Sequence, residues 1–228
     1  MNVKQLRFHV PEMEGALARW YARNRGSAPQ LAQYRASAEQ LAAELPEGAD
    51  ILELAPGPGY HAIELARSGR FHVTGLDISH TMVDIARENA ERDGIDVRFQ
   101  LGDASDLPFD AGSFDLIVCQ AAFNNYTRPG LAIAEMHRVL RVGGTAVIQD
   151  LRKDVTSADI DREVAGMGQN AVNAAMTKLA LSGLRRRAYT AAAFEQLVAD
   201  SPFRTADIRV DGIGMDIRLL KRSEGETG

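Results

Sequence analysis

The sequence predicts an α/β fold in one domain, a doubly wound sheet of mainly parallel strands with helices on both faces. Three observations predict it. From Asp50 onward, short apolar runs alternate with helical stretches, the rhythm of parallel strands joined by right-handed crossovers. The first run, residues 51 to 55, ends in the turn Pro56-Gly57-Pro58-Gly59 and passes directly into a helical pattern. The second run is followed by an acidic residue, Asp77, at about the spacing where a carboxylate meets the hydroxyls of a ribose.

The elements follow in order. Residues 12 to 46 read as helical, with Leu17, Trp20 and Tyr21, then Leu31, Tyr34, Ala38, Leu41 and Leu45 near helical spacing, broken at Gly26-Ser27-Ala28-Pro29. Strands are expected at residues 51–55, 71–76, 97–101, 114–120 and 145–151, and helices at 60–67, 81–92 and 131–140. Gly143-Gly144 after the last of these supplies the left-handed terminus that stops a helix. Beyond Asp150 the pattern shifts to one or two helices over 158–183 carrying Met167 and Met176, then a helix over 190–199. Two short strands, 205–210 and 213–220, joined through Asp211-Gly212, suit an antiparallel hairpin at the sheet edge. The 228 residues therefore divide into a helical cap (1–48), a core (49–155), a helical lid (156–188) and a C-terminal helix with hairpin (189–228).

Composition narrows the function. With 45% hydrophobic and 25% charged residues the chain is an ordinary globular protein, and no uncharged apolar stretch reaches membrane-spanning length. The first ten residues lack an apolar stretch followed by a cleavage site, so a cytoplasmic protein is expected. A net charge of -5 argues against nucleic acid as partner, and Arg185-Arg186-Arg187 is too short to reverse that. Cys119 is the single cysteine and reads as a buried side chain. No histidine and cysteine cluster suggests a metal, and His61 and His137 read as helix residues with structural roles. The oligomeric state is not legible.

Gly57 and Gly59 remove Cβ atoms where a nucleoside or its polar tail would lie, and the helix after them offers free N–H groups. The same turn satisfies the dinucleotide pattern, so the choice of cofactor rests on other features. Glu53 lies inside the strand before the turn, where a buried anion needs a partner such as a cofactor ammonium. Gly102-Asp103-Ala104 follows the third strand, and Asp103 can accept from an adenine amino group. The segment from Glu135 to Gly144, Glu-Met-His-Arg-Val-Leu-Arg-Val-Gly-Gly, closes a helix and opens a fifth strand.

These motifs make the sequence resemble the class I S-adenosylmethionine-dependent methyltransferases, particularly the small-molecule, quinone-biosynthesis-like branch, from about residue 48 to 155. The resemblance implies a Rossmann-like seven-stranded sheet of order 3-2-1-4-5-7-6 with strand 7 antiparallel. It implies S-adenosyl-L-methionine as cofactor, leaving as S-adenosyl-L-homocysteine. Glu53, Gly57 and Gly59 would frame the methionine end and Asp77 would hold the ribose. Ile78 and Met82 would pack near adenine and ribose, Asp103 with Ala104 would read the adenine edge, and Gln120 would lie beside the methionine moiety. Ala55 departs from the family's usual glycine as the first small residue of the turn, and retained binding with a slightly altered loop is expected.

The acceptor side is sketched by Phe123-Asn124-Asn125-Tyr126 after the fourth strand, which combines aromatic surface with amide groups. No proline pair follows Asn124 or Asn125, unlike enzymes that methylate nucleic-acid amines. Asp150, as a candidate base, and Arg152 end the fifth strand, while Trp20 and Tyr21 could close over the cofactor with Arg23 or Arg25 near a carboxylate; His9 is an open candidate. The expected activity is in-line methyl transfer to a small-molecule acceptor, the acceptor atom being open. The alternatives are a non-catalytic cofactor sensor or scaffold, and a nicotinamide-dependent oxidoreductase, which would lack an evident Tyr-x-x-x-Lys pair.

Overall fold

The computed structural model describes residues 13–167 and 171–223; His9 lies outside them. Two helices, α1 (Gly15–Arg25) and α2 (Ala28–Ala42), precede the first strand. They are separated where Ser27 is extended and Pro29 opens the second helix, a position where the missing N–H of proline costs nothing. The core then runs β1 (Asp50–Leu54), α3 (Tyr60–Ala66), β2 (His72–Asp77), α4 (His80–Asp93), β3 (Arg98–Leu101), β4 (Phe114–Gln120), α5 (Pro129–Val139) and β5 (Leu140–Leu151). It is followed by α6 (Ser157–Gly166), α7 (Ala171–Arg185), α8 (Ala191–Ala199), β6 (Asp207–Asp211) and β7 (Gly214–Leu220).

The seven strands form one sheet of order β3-β2-β1-β4-β5-β7-β6. β1 to β5 are parallel, and β7 lies antiparallel to both β5 and β6. The expected order and the reversed seventh strand are both present.

Both faces of the central strands are covered, which is why they read as continuous apolar runs rather than alternating ones. On one face Ile133, Met136 and Val139 of α5 and Phe194 and Val198 of α8 meet Leu52, Ile117 and Ile148. On the other, Ala38 and Leu41 of α2, Ile63 and Leu65 of α3 and Val83 and Ala86 of α4 meet Ile51, Val73 and Val118. α4 is defined locally: Ser79 caps its start by accepting from the Met82 amide, and Gly94 in the left-handed region ends it.

One expected boundary needs revision. Gly143-Gly144 does not stop a helix; α5 ends at Val139 because Leu140 turns extended. The glycines lie inside β5, in a bulge between the pairs Phe114 with Leu140 and Leu116 with Thr145. Arg141 in that bulge ties together Asp50 and Asp115 of the neighbouring strands. In the segment expected as a lid, Ile160 and Val164 of α6 join Leu151, Val155 and, from α7, Ala174, Leu181 and Leu184 beside the hairpin. Among the described residues no helix is long and apolar enough to cross a membrane.

Candidate functional site

The strand order reverses between β1 and β4, so the connections leaving their C-terminal ends diverge and open a crevice. A cavity of about 280 Å³ occupies it. Its floor is built from the ends of β1, β2 and β4 and the loop after β3, and its roof from Tyr21 and Arg25 of α1 and Tyr34 of α2. The roof is held down at the start of α1, where the Glu14 carboxylate accepts from the His80 and Thr81 amides at 2.8 and 3.0 Å and from the Thr81 hydroxyl. Those hydrogen bonds, that from Thr81 Oγ1 first, keep the Glu14 carboxyl below its ordinary value.

The turn after β1 is shaped by three residues with positive φ: Ala55 at 53°, Gly57 at 54° and Gly59 at 78°. The two glycines serve different ends. A Cβ on Gly57 would meet only Tyr21 Cε1 at 4.0 Å, leaving backbone open to the cavity, whereas one on Gly59 would lie 2.7 Å from Phe99 Cζ and 2.9 Å from Ala86 Cβ. Gly59 lets α3 pack and does not line the cavity. Ala55 keeps the left-handed backbone despite its Cβ, a conformation costing about 1 kcal/mol for an L-residue.

Asp77 fixes this turn to the end of β2. Its Oδ2 accepts from the Gly57 amide at 3.0 Å and its Oδ1 from Ser79 at 2.9 Å. Burial raises its carboxyl, and these backbone donors only partly offset that. Lone pairs remain on both oxygens for a further donor in the cavity. After β3, Asp103 accepts from Ser105 N and Oγ at 2.8 and 2.6 Å and from Arg128 at 2.7 Å. Burial would raise Asp103, but these partners outweigh it and hold it low.

Glu53 and His61 make the floor's least satisfied group. Glu53 is 3% exposed and His61 2%. Glu53 Oε1 stands 3.3 Å from His61 Nδ1, while Glu53 Oε2 has no hydrogen-bond partner and His61 Nδ1 no aligned one. Above them Arg25 stacks its guanidinium over the rings of Tyr21 and Tyr34, at 5.7 and 5.5 Å. Burial pushes the Tyr34 phenol up to about 12, so it faces the cavity as a neutral hydroxyl.

Of the residues singled out in the sequence, the cavity gathers Glu53, Ala55, Gly57, Asp77, Ile78, Met82, Asp103, Ala104 and Gln120, and also Tyr21, Arg25, Asn125 and Tyr126. It does not gather the others. Trp20 lies exposed on the outer side of α1. Phe123 is buried in the core among Tyr126, Tyr189 and Phe194. Asn124 and Asp150 lock to each other beneath the surface: the Asn124 amide donates to Asp150 Oδ2 at 2.9 Å, and its side chain donates to the Leu151 carbonyl at 2.9 Å. Asp150 also accepts from Leu151 N at 2.7 Å, so its carboxylate serves backbone donors instead of standing at the wall as a base. Arg152 turns to the Gly212 carbonyl and Asp154. Tyr34 and Arg128 were missed as cavity residues: helical spacing alone marked Tyr34, and nothing local marked Arg128.

Residues 51–144 match the family model described as a methyltransferase domain. Over that stretch, which takes in β1 to the first part of β5, the chain is similar to that family. The curated relatives of this chain include a demethylmenaquinone methyltransferase of Deinococcus radiodurans, 37% identical over half of this chain and 47% of the relative. A ubiquinone/menaquinone biosynthesis C-methyltransferase of Rhizobium meliloti is 34% identical over 54% of this chain and 48% of its own. The chain thus spans about half the length of the curated relatives it matches. Among solved structures, an S-adenosylmethionine-dependent methyltransferase from Aquifex aeolicus superimposes with a TM-score of 0.68 over 89% of this chain and 97% of its own, at 16% identity. The shared property there is the fold.

Proposed function

We propose that this chain is an S-adenosylmethionine-dependent methyltransferase acting on a small-molecule acceptor. The observation that carries the reading is the unpartnered Glu53 Oε2, buried at the floor of a cavity whose floor also holds Asp77 at the end of β2 and whose roof holds Arg25. An isolated buried carboxylate oxygen is costly, and an α-amino acid relieves it, with its ammonium on Glu53 and its carboxylate on the Arg25 guanidinium. Asp77 then accepts from the ribose hydroxyls, Ile78 and Met82 flank ribose and adenine, and Asp103 with Ala104 faces the adenine edge. Gly57 lets the backbone approach, Gly59 and Ala55 shape the turn, and Gln120 stands beside the methionine portion.

When bound, the cofactor supplies an electrophilic methyl group on a sulfonium, whose displacement needs alignment more than acid–base help. The chain's own task is to orient and to exclude water. Tyr21, Asn125 and Tyr126 border the remaining space with ring surface and an amide, which suits a partly apolar acceptor. The names of the relatives make a quinone-type ring the acceptor class to test first.

The test is calorimetric titration with S-adenosylmethionine and S-adenosylhomocysteine, with NAD and NADP as controls, followed by an acceptor screen. Micromolar binding of the first pair alone and methyl transfer to an aromatic acceptor are expected. Binding without any turnover would favour a sensor or scaffold, and nicotinamide binding a dehydrogenase.

A further inference from the structure

A line of hydrogen bonds crosses the sheet from β7 to the His61 ring, which stands beside the orphaned carboxylate. Asp216 of β7 presents a carboxylate oxygen, which accepts from Gln149 Nε2 at 2.8 Å. That contact fixes which way the Gln149 amide faces, so its oxygen accepts, and Gln120 Nε2 donates to it at 2.8 Å. The same Gln120 nitrogen reaches Ser37 Oγ at 3.0 Å and His61 Nε2 at 3.4 Å. An amide nitrogen only donates and has two protons for these three neighbours, so where one of them turns to the ring His61 Nε2 accepts it and the ring proton sits on Nδ1. Nδ1 is the atom 3.3 Å from Glu53 Oε1. Orientation set at β7 is thereby passed to the ring beside Glu53 of β1.

From this we propose that His61 is a positioning residue for the amino-acid end of the cofactor, an inference that rests on the cofactor reading above. Its Nδ1 stands 3.3 Å from Glu53 Oε1 without being aligned on it, near enough to hold that oxygen once the pair turns into line, which leaves Oε2, the oxygen without a partner, for an incoming ammonium. His61 lines no part of the cavity and touches no ligand itself. Its effect is confined to ligands that carry the amino-acid group, because adenosine recognition at Asp77 and Asp103 does not pass through Glu53.

The purified chain and two variants, His61→Leu and His61→Asn, should be titrated with S-adenosylhomocysteine and with 5′-methylthioadenosine, a thioether that lacks the amino-acid group. Leucine removes the donor, whereas asparagine places an N–H close to where Nδ1 stood. His61→Leu should weaken S-adenosylhomocysteine about tenfold, the size of one lost charge-assisted hydrogen bond, and leave methylthioadenosine unchanged. His61→Asn should recover most of the loss. Equal weakening of both ligands, or an asparagine variant as weak as the leucine one, overturns the proposal. Failure of the unsubstituted chain to bind S-adenosylhomocysteine overturns the cofactor reading and this inference with it. Should His61→Leu fail to fold, ¹⁵N shifts of the His61 ring in the unsubstituted protein decide the matter: a protonated Nδ1 with a bare Nε2 is expected, and a proton on Nε2 overturns the assignment.

Discussion

Asp77 and Asp150 are both buried carboxylates that accept backbone amides, yet they differ in place. Asp77 lines the cavity and Asp150 does not. Asp77→Ala should weaken S-adenosylhomocysteine binding by about 1–3 kcal/mol, the cost of losing hydrogen bonds to a charged group, as read by calorimetry. Asp150→Ala should leave that affinity unchanged and lower stability in urea by about 1–3 kcal/mol, since the buried amide of Asn124 loses its acceptor. The pH dependence has a definite sign. Burial raises Asp77 above its ordinary 3.8, so its anion is disfavoured in the fold, and whatever stability it contributes is present at low pH and lost as pH rises through its folded value. In the proposed function the anion receives the ribose hydroxyls, so cofactor affinity should fall as pH drops through that same raised value, and titrations across the acid range check it. The sequence located Asp77 because its position after a strand is a local property. Asp150 looked equally plausible by that criterion. Only the three-dimensional path of residues 123 and 124 shows its oxygens turned to backbone donors.

At the level of elements, the sheet was legible because buried parallel strands announce themselves as unbroken apolar runs, as in residues 114–120, where strand and expectation coincide. β5 was shortened in the reading because Gly143-Gly144 also suits a helix end, and a bulge has no periodic signature. The roof was only half legible. Tyr21 and Tyr34 carry the apolar spacing of any core helix, and which face of α1 meets α4 depends on Glu14, a charged residue outside that pattern. Glu14→Ala should therefore loosen α1 and leave the sheet intact: hydrogen exchange should quicken in residues 15–25 and remain slow in β1 and β4. Cofactor affinity should drop with it, because Arg25 and Tyr21 depend on that attachment.

Across the whole molecule, the antiparallel hairpin does more than close an edge. β7 pairs with the full run from Thr145 to Leu151 and sends Met215, Ile217 and Leu219 into the same core as α5 and α8. Ile217→Ala should cost about 2–5 kcal/mol by opening a cavity in that core, with an unchanged urea slope if the sheet unfolds as one unit. The lone thiol sits at the heart of this unit: Cys119 lies in β4, fully enclosed, 3.3 Å from the Tyr126 hydroxyl, and burial pushes its ionisation up to about 12. A thiol reagent can reach it only when β4 parts from its neighbours, so the labelling rate of the native protein times those excursions. A ligand gripping the ends of β1 and β4 must slow that rate in proportion to how rarely it lets them part. The chain carries its own stopwatch, readable without any acceptor in hand.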